Sequence, residues 1–411
     1  MNYDEAIDWL YRAQWFGIKL GLSETRQLLD RLGNPQNRYP TIHVAGTNGK
    51  GSVCAFAAEI LRRRFSKVGL FTSPHLIDFR ERMTLNGQWA DAEHLADILT
   101  RIRKIAEKEN AEFTFFKITT ALAFTLFAEK SVDVAVIETG MGGAQDCTNI
   151  LTPQACGITT ISLDHTQWLG PDIASIAREK AGIIKAKTPV FTTVKNPVAL
   201  EIIKECTASV AAPFTQISEL YRGATPGLAG THQRWNAALA AALCRSIEPD
   251  EKKLSDEVIS QAITETSWPG RFQKISLAPG GNELILDGAH NPEAIREVVN
   301  TWKSRFGEQR TAIIFGSLTD KNWNQNLRLL SEIATHFYFV PLRSPRSMEP
   351  SELVDKLKMI NNIPGTSTTS EKALAHARQS PESCLLTGSL FLVGEALSLL
   401  KKMPLPPDSE Q

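Results

Sequence analysis

The run Gly46-Thr47-Asn48-Gly49-Lys50-Gly51-Ser52 brings glycines, one lysine and a hydroxyl together as a phosphate-binding loop does. Upstream, Thr41–Ala45 reads as a buried strand; downstream, Val53, Phe56, Ala57, Ile60 and Leu61 recur at the spacing of one helix face. At such a strand-to-helix turn, glycines let backbone N–H groups approach an anion, the helix N-terminus adds a positive dipole end, and Lys50 supplies a point charge. Asn48, Gly49, Lys50, Gly51 and Ser52 are therefore the expected nucleotide contacts.

Three further polar segments follow apolar β-branched runs. Thr72-Ser73-Pro74-His75 follows residues 67–71, Glu138-Thr139-Gly140-Met141-Gly142-Gly143 closes the run 132–138, and Ser162-Leu163-Asp164-His165 follows 155–161. In open α/β sheets ligands bind beyond the carboxyl ends of the strands, so these segments should converge on the loop around Lys50. Magnesium takes hard oxygens from one or two side chains together with phosphates, and Ser52, Ser73 and Glu138 suit that role. Glu138 ends an apolar strand, an unfavourable place for a carboxylate without a cation. Ser73 before Pro74 equally suits a helix cap. Lys180, just before Gly182, taken singly suits a charge complementing a helix C-terminus, and His165 suits a satisfied core histidine.

The elements that must position these groups are legible in outline. β-branched runs, with a further one at 189–193, alternate with helical patterns and predict a mostly parallel sheet covered by helices. After Trp268-Pro269-Gly270-Arg271, the stretch Ala278-Pro279-Gly280-Gly281-Asn282 reads as a linker before new strands at 283–287, Thr311–Phe315, 335–341 and Cys384–Thr387. The expectation is a two-domain α/β chain, with a nucleotide-binding domain over 1–277, a smaller Rossmann-like domain over 283–403 and a frayed tail over 404–411. At 411 residues the chain is long enough for two cores. Lys+Arg and Asp+Glu balance at 45 each, which argues against a nucleic-acid or membrane-surface partner. The 6 cysteines have no paired ligand spacing, and no run reaches a membrane-spanning length. A soluble cytoplasmic protein is expected.

Taken together, these segments resemble the folylpolyglutamate and dihydrofolate synthases of the Mur ligase superfamily. The similarity runs through His43–Ser52, Thr72–His75, Glu138–Gly143, Asp164-His165-Thr166-Gln167-Trp168-Leu169-Gly170, Glu179-Lys180-Ala181-Gly182, Trp268-Pro269-Gly270-Arg271-Phe272 and Asp287-Gly288-Ala289-His290-Asn291-Pro292, in the family's order. The resemblance implies a two-domain Mur-ligase-like fold and an ATP-dependent ligase in which a substrate carboxylate is phosphorylated and the amine of glutamate displaces phosphate. It implies that Ser73 and Glu138 hold one magnesium ion and that His165 joins Glu138 at a second. It further implies that Lys180 is carbamylated, that Asn236 contacts adenine, that Arg271 and Asp287 contact the nucleotide, and that His290 lies near the incoming glutamate. Small-molecule substrates and a monomer follow from the same similarity.

On the pterin side, the resemblance places dihydropteroate or a reduced folate among Ile18-Lys19-Leu20, Thr114-Phe115-Phe116-Lys117 and Gln145-Asp146-Cys147, with Phe116 as a stacking ring and Asp146 as a hydrogen-bonding acid. Lys117 stands where the family usually has an acid, and Ala144 where it has an arginine. The exchange leaves the pocket more positive by a single charge, and either a changed acceptor or a swapped ion pair would account for it.

Overall fold

The computed structural model describes residues 1–17, 21–277 and 282–405; the expected contacts Ile18, Lys19 and Leu20, most of the expected linker and the end of the tail lie outside them. The described residues divide into two compact units. The first comprises Met1–Pro74, Arg80–Gly227 and Gln233–Thr266; the second comprises His75–Phe79, Leu228–His232 and Ser267 onward.

In the first unit, eight described strands form one sheet: β1 Thr41–Ala45, β2 Val68–Phe71, β3 Met83–Leu85, β4 Gln88–Trp89, β5 Val134–Glu138, β6 Ala155–Ile158, β7 Val190–Thr192 and β8 Phe214–Gln216. Their order is β4-β3-β2-β5-β1-β6-β7-β8, parallel from β2 to β8 with β3 and β4 antiparallel at one edge. β1 and β5 are buried at every position, as expected of central parallel strands covered on both faces. The helix Lys50–Arg62 is buried on almost all sides from Gly51 to Ala58, beyond the single apolar face read from its periodicity. One side of the sheet packs Ala45, Ile158 and Val190 against Ile176, Ala177 and Ile203.

The second unit has a six-stranded described sheet: β9 Gln273–Ser276, β10 Glu283–Leu286, β11 Thr311–Phe315, β12 Ala334–Phe339, β13 Gly365–Ser367 and β14 Cys384–Thr387, ordered β13-β12-β11-β14-β10-β9. β10 shows the two-residue period of a strand covered on both faces: Ile285 packs with Trp302, Ile313 and Leu385, while Leu284 and Leu286 pack with Ile314, Val393 and Leu397. β9 pairs antiparallel with β10, Gln273 opposite Leu286. That strand therefore belongs to the second sheet, and the expected boundary of the first domain at 277 moves back to near Thr266. No described helix is long and apolar enough to cross a membrane. The cysteines are free thiols, all buried except the half-buried Cys206.

Candidate active site

Strands β2, β5, β1 and β6 run side by side and parallel, with Phe71 opposite Ile137, Val44 opposite Glu138 and Ala45 opposite Ile158. Their carboxyl ends deliver Ser73, Glu138, the loop Gly46–Gly49 and the Thr159–His165 segment to one rim, as the strand endings predict. Gly46 has φ +146°, and a Cβ there would lie 1.7 Å from Thr159 Oγ1; Gly49 has φ +89°, and a Cβ would lie 2.6 Å from Asn236 Oδ1. The loop thus follows a path closed to other residues, tied down by Thr47 N–H donating to Thr160 O at 2.7 Å. Gly46→Ala is expected to destabilise the protein by roughly 2 kcal/mol or more and to weaken nucleotide binding at least about tenfold. Thermal denaturation and calorimetric titration with ATP check both effects.

Two ammonium groups meet at this loop. Lys50 Nζ donates to Gly46 O at 3.1 Å and Thr47 O at 3.2 Å, and Lys180 Nζ donates to the same Gly46 O at 2.7 Å. Lys180 sits in the last turn of the helix Ile173–Ala181, as a dipole-complementing lysine would, but its side chain is buried. Burial, reinforced by the Lys50 charge, brings its pKa down from 10.5 to about 7. A cationic, water-poor rim of this kind favours a polyanion. Ser52 Oγ at the start of the helix is buried and makes no hydrogen bond, and Glu138 is buried with one carboxylate oxygen accepting Ser73 N–H at 3.2 Å. A divalent cation fits this donor set: hard oxygens at a phosphate loop, with room left for phosphate ligands. No three His, Cys, Asp or Glu residues cluster as a metal-binding group among the described residues, so such a cation depends on hydroxyl and phosphate oxygens as well. Ser73 begins no helix, which removes the capping alternative. His165 is exposed, with φ 50°, and its ring lies 4.0 Å from Asp164 Oδ1.

The glycine turn after β5 is braced from the Lys180 helix. Glu179 Oε1 accepts Gln145 N–H at 3.0 Å, and Glu179 O accepts Ala144 N–H at 2.7 Å. A Cβ on Gly143 would lie 2.6 Å from Glu179 O, and one on Gly182 would lie 2.4 Å from Ala144, so close backbone approach explains both glycines. Asp146 is buried and accepts from Met141 N, Thr148 N and the Thr148 hydroxyl, while burial raises its pKa. Phe116 covers the turn, since a Cβ on Gly140 would lie 2.3 Å from its Cζ.

Neighbouring residues on the Phe115–Glu129 helix project about 100° apart, so Phe115, Phe116 and Lys117 do not share one direction. Phe115 is buried against Tyr11, with the Arg82 guanidinium 5.1 Å from its ring. Lys117 is buried and forms an ion pair with Glu24. The positive charge counted from the sequence is thus offset by a partner 93 positions away. Arg82, buried and absent from the sequence-level candidates, has its pKa lowered to about 10 by burial, partly opposed by Tyr11 and Glu138. Nothing in its local text, Glu81-Arg82-Met83, signals an inward cation.

Asn236, in the first unit, is buried and donates to Gln233 Oε1 at 2.9 Å. In the second unit, Asp287 follows β10 and accepts Phe272 N and Ala289 N, each at 2.8 Å. Burial raises the Asp287 pKa against the pull of the Arg271 charge. His290 Nδ1 lies 3.0 Å from Gly288 O, and Asn291 caps the helix Pro292–Phe306.

Residues 44–218 match the Mur ligase middle domain, and residues 270–390 match the Mur ligase glutamate ligase domain. The chain is 34% identical to the dihydrofolate synthase/folylpolyglutamate synthase of Bacillus subtilis, over 97% of this chain and 99% of that protein. Among solved structures, E. coli FolC in complex with DHPP and ADP superposes with a TM-score of 0.86 at 28% identity, covering 97% of this chain and 98% of that one. A bifunctional folylpolyglutamate synthase/dihydrofolate synthase with Mn, AMPPNP and L-glutamate bound gives 0.85 at 29% identity, covering 96% and 98%.

Proposed function

Because the chain belongs to the dihydrofolate synthase/folylpolyglutamate synthase family of Mur ligases, we propose that it joins glutamate to the carboxylates of both dihydropteroate and reduced folates. It is an ATP-dependent ligase that works with a divalent metal ion. The observation that carries the reading is the buried Lys180 side chain, 2.7 Å from the carbonyl of the phosphate loop, whose burial favours the neutral amine that carbamate formation requires.

A carboxylate cannot expel oxide at neutral pH. Attack of the acceptor carboxylate on the γ-phosphorus of ATP breaks the bond to ADP and gives an acyl phosphate; the glutamate amine then attacks the acyl carbon, the C–O bond to phosphate breaks, and the nitrogen loses its proton. This chain's residues align and neutralise. Lys50 and the loop N–H groups hold the phosphates, Asn236 holds adenine, Arg271 and Asp287 serve the nucleotide, and His290 serves the incoming glutamate. Ser73, Glu138 and His165 would hold magnesium, with Ser52 contributing its unpaired hydroxyl, and the metal would neutralise charge on the transferring phosphoryl group. Lys180 reacts with carbon dioxide to give a carbamate, turning a cation into an anion on the same stem. Phe116 and the Gly140–Asp146 turn border the acceptor.

The Lys117–Glu24 pair supports the folate reading over a different acceptor, because a paired lysine leaves no unbalanced charge to recruit another carboxylate. Purified protein should release ADP and phosphate only when glutamate is present together with dihydropteroate or tetrahydrofolate, assayed side by side. Turnover with neither acceptor overturns the proposal, and turnover with one restricts it to that acceptor.

A further inference from the structure

A buried hydrogen-bond chain runs from the phosphate-loop strand to the turn beside the acceptor. His43 is in the middle of β1, three residues before Gly46, and is fully buried. Its Nε2 lies 2.8 Å from Thr148 Oγ1, and the Thr148 hydroxyl donates to Asp146 Oδ1. The same Oδ1 accepts Thr148 N–H at 3.0 Å, and Oδ2 accepts Met141 N–H at 2.8 Å.

The directions of these bonds are forced. An oxygen that takes two donors acts as an acceptor, so the single hydroxyl proton of Thr148 is committed to Asp146. The threonine oxygen then has only lone pairs to offer His43, and Nε2 must carry the imidazole proton. His43 Nδ1 is left buried with no hydrogen bond. A residue serving only to fill the core would not strand a ring nitrogen in this way, since a buried polar atom without a partner is unfavourable. Protonation would put an N–H with no acceptor on Nδ1 in this buried place, and burial accordingly lowers the His43 pKa to about 3. Through the neutral range the ring is an uncharged, single-tautomer donor.

We propose that His43 is a positioning residue which, through Thr148, fixes the orientation of Asp146 and with it the turn that receives the pteroate or folate acceptor. The proposal rests on the reading above that Asp146 borders the acceptor. Removing the Nε2 donor frees the Thr148 hydroxyl to rotate away from Asp146, so the acceptor loses its platform while nucleotide contacts of the loop Gly46–Ser52 persist.

Steady-state kinetics on His43→Leu, His43→Gln, Thr148→Val and Asp146→Asn, with acceptor and ATP varied separately, test this. His43→Leu and Thr148→Val should each raise the acceptor KM about tenfold while the ATP KM and kcat stay within about twofold, the loss of one buried hydrogen bond being of that order. Their combination should be no worse than either alone, within about twofold, because both cut one chain. His43→Gln, whose amide nitrogen reaches the place of Nε2, should return the acceptor KM to within about threefold of the parent, in keeping with one restored donor. Nitrogen-15 spectra of the imidazole should show the proton on Nε2 throughout the neutral range. If Asp146→Asn raises the acceptor KM and Thr148→Val does not, the relay is wrong, and this near-isosteric variant decides the matter should His43→Leu fail to fold. An unchanged acceptor KM in Asp146→Asn would instead sink the placement of the acceptor itself. Equal increases in the ATP and acceptor KM values in His43→Leu would mark a general structural role and overturn the assignment.

Discussion

Lys180→Ala should lower turnover by about three orders of magnitude while ATP and ADP still bind within a few-fold of the parent affinity, the scale seen when a preorganised charged group is lost from a reacting centre. The argument starts from protonation. A lysine reacts with carbon dioxide only as the free amine, and an ordinary lysine at pH 7 is neutral in roughly one molecule in three thousand. With its pKa brought down to about 7, Lys180 is neutral about half the time. The carbamate nitrogen retains one N–H, enough to keep the bond to Gly46 O seen at 2.7 Å, so conversion leaves the anchor in place and adds an anion beyond it. Small carboxylic acids at high concentration should therefore restore part of the activity of Lys180→Ala, and removal of dissolved carbon dioxide should slow the parent but not the variant. Parental rates in Lys180→Ala would end the carbamate assignment.

With dissolved carbon dioxide removed, so that Lys180 titrates as the free amine, the same group makes a prediction for stability. Its folded pKa is below the unfolded value of 10.5, so between pH 7 and 10.5 the unfolded chain binds more protons and stability rises with pH. The contribution is fully present above 10.5 and is lost as pH falls toward 7, and Lys180→Ala should flatten that part of the curve.

The parts of the site read most directly from sequence are those set by short-range constraints. The glycines at 46 and 49 stand in a sequence that already shows strand, turn and helix, and their positive φ values follow from that turn. Glu138, Ser73 and Lys180 could be singled out because each follows or ends an element whose period was visible. Long-range pairings were not legible in this way. Glu24 and Lys117 lie on two helices, and each looks like an ordinary helix residue until the helices are packed. Arg82 is buried with its guanidinium 5.1 Å from the Phe115 ring, and no local alternation marks it as inward. The strand β9 was missed for the same reason, because its partner β10 identifies it while its own residues alternate between exposed and half-buried. His43 looked like one more strand residue, and only the position of Thr148, 105 residues on, gives its ring nitrogen a purpose.

Glu138→Gln should lower turnover by about three orders of magnitude, with a raised magnesium requirement, while metal-free nucleotide binding is kept or slightly improved. The substitution is nearly isosteric, and the amide oxygen can still accept Ser73 N–H, so the bond at 3.2 Å and the turn after β5 should survive. What is lost is the charge. Val44 is opposite Glu138 across β1 and β5, and neighbouring strands lie about 4.8 Å apart, so this carboxylate stands level with the start of the phosphate loop. Without metal it repels phosphate oxygens, which is why its neutralisation should help bare nucleotide; with metal it supplies a fixed negative charge that the hydroxyls of Ser52 and Ser73 cannot replace. Arg82 gives a second, independent reading. Its charge is buried and partly compensated by Glu138, so Glu138→Gln should also lower thermal stability modestly, and Arg82→Met in the Glu138→Gln background should recover some of that loss without recovering turnover. Calorimetric titrations of ATP with and without magnesium, set beside thermal denaturation, separate the two effects. A Glu138→Gln enzyme with the parent's magnesium dependence would remove Glu138 from the metal site.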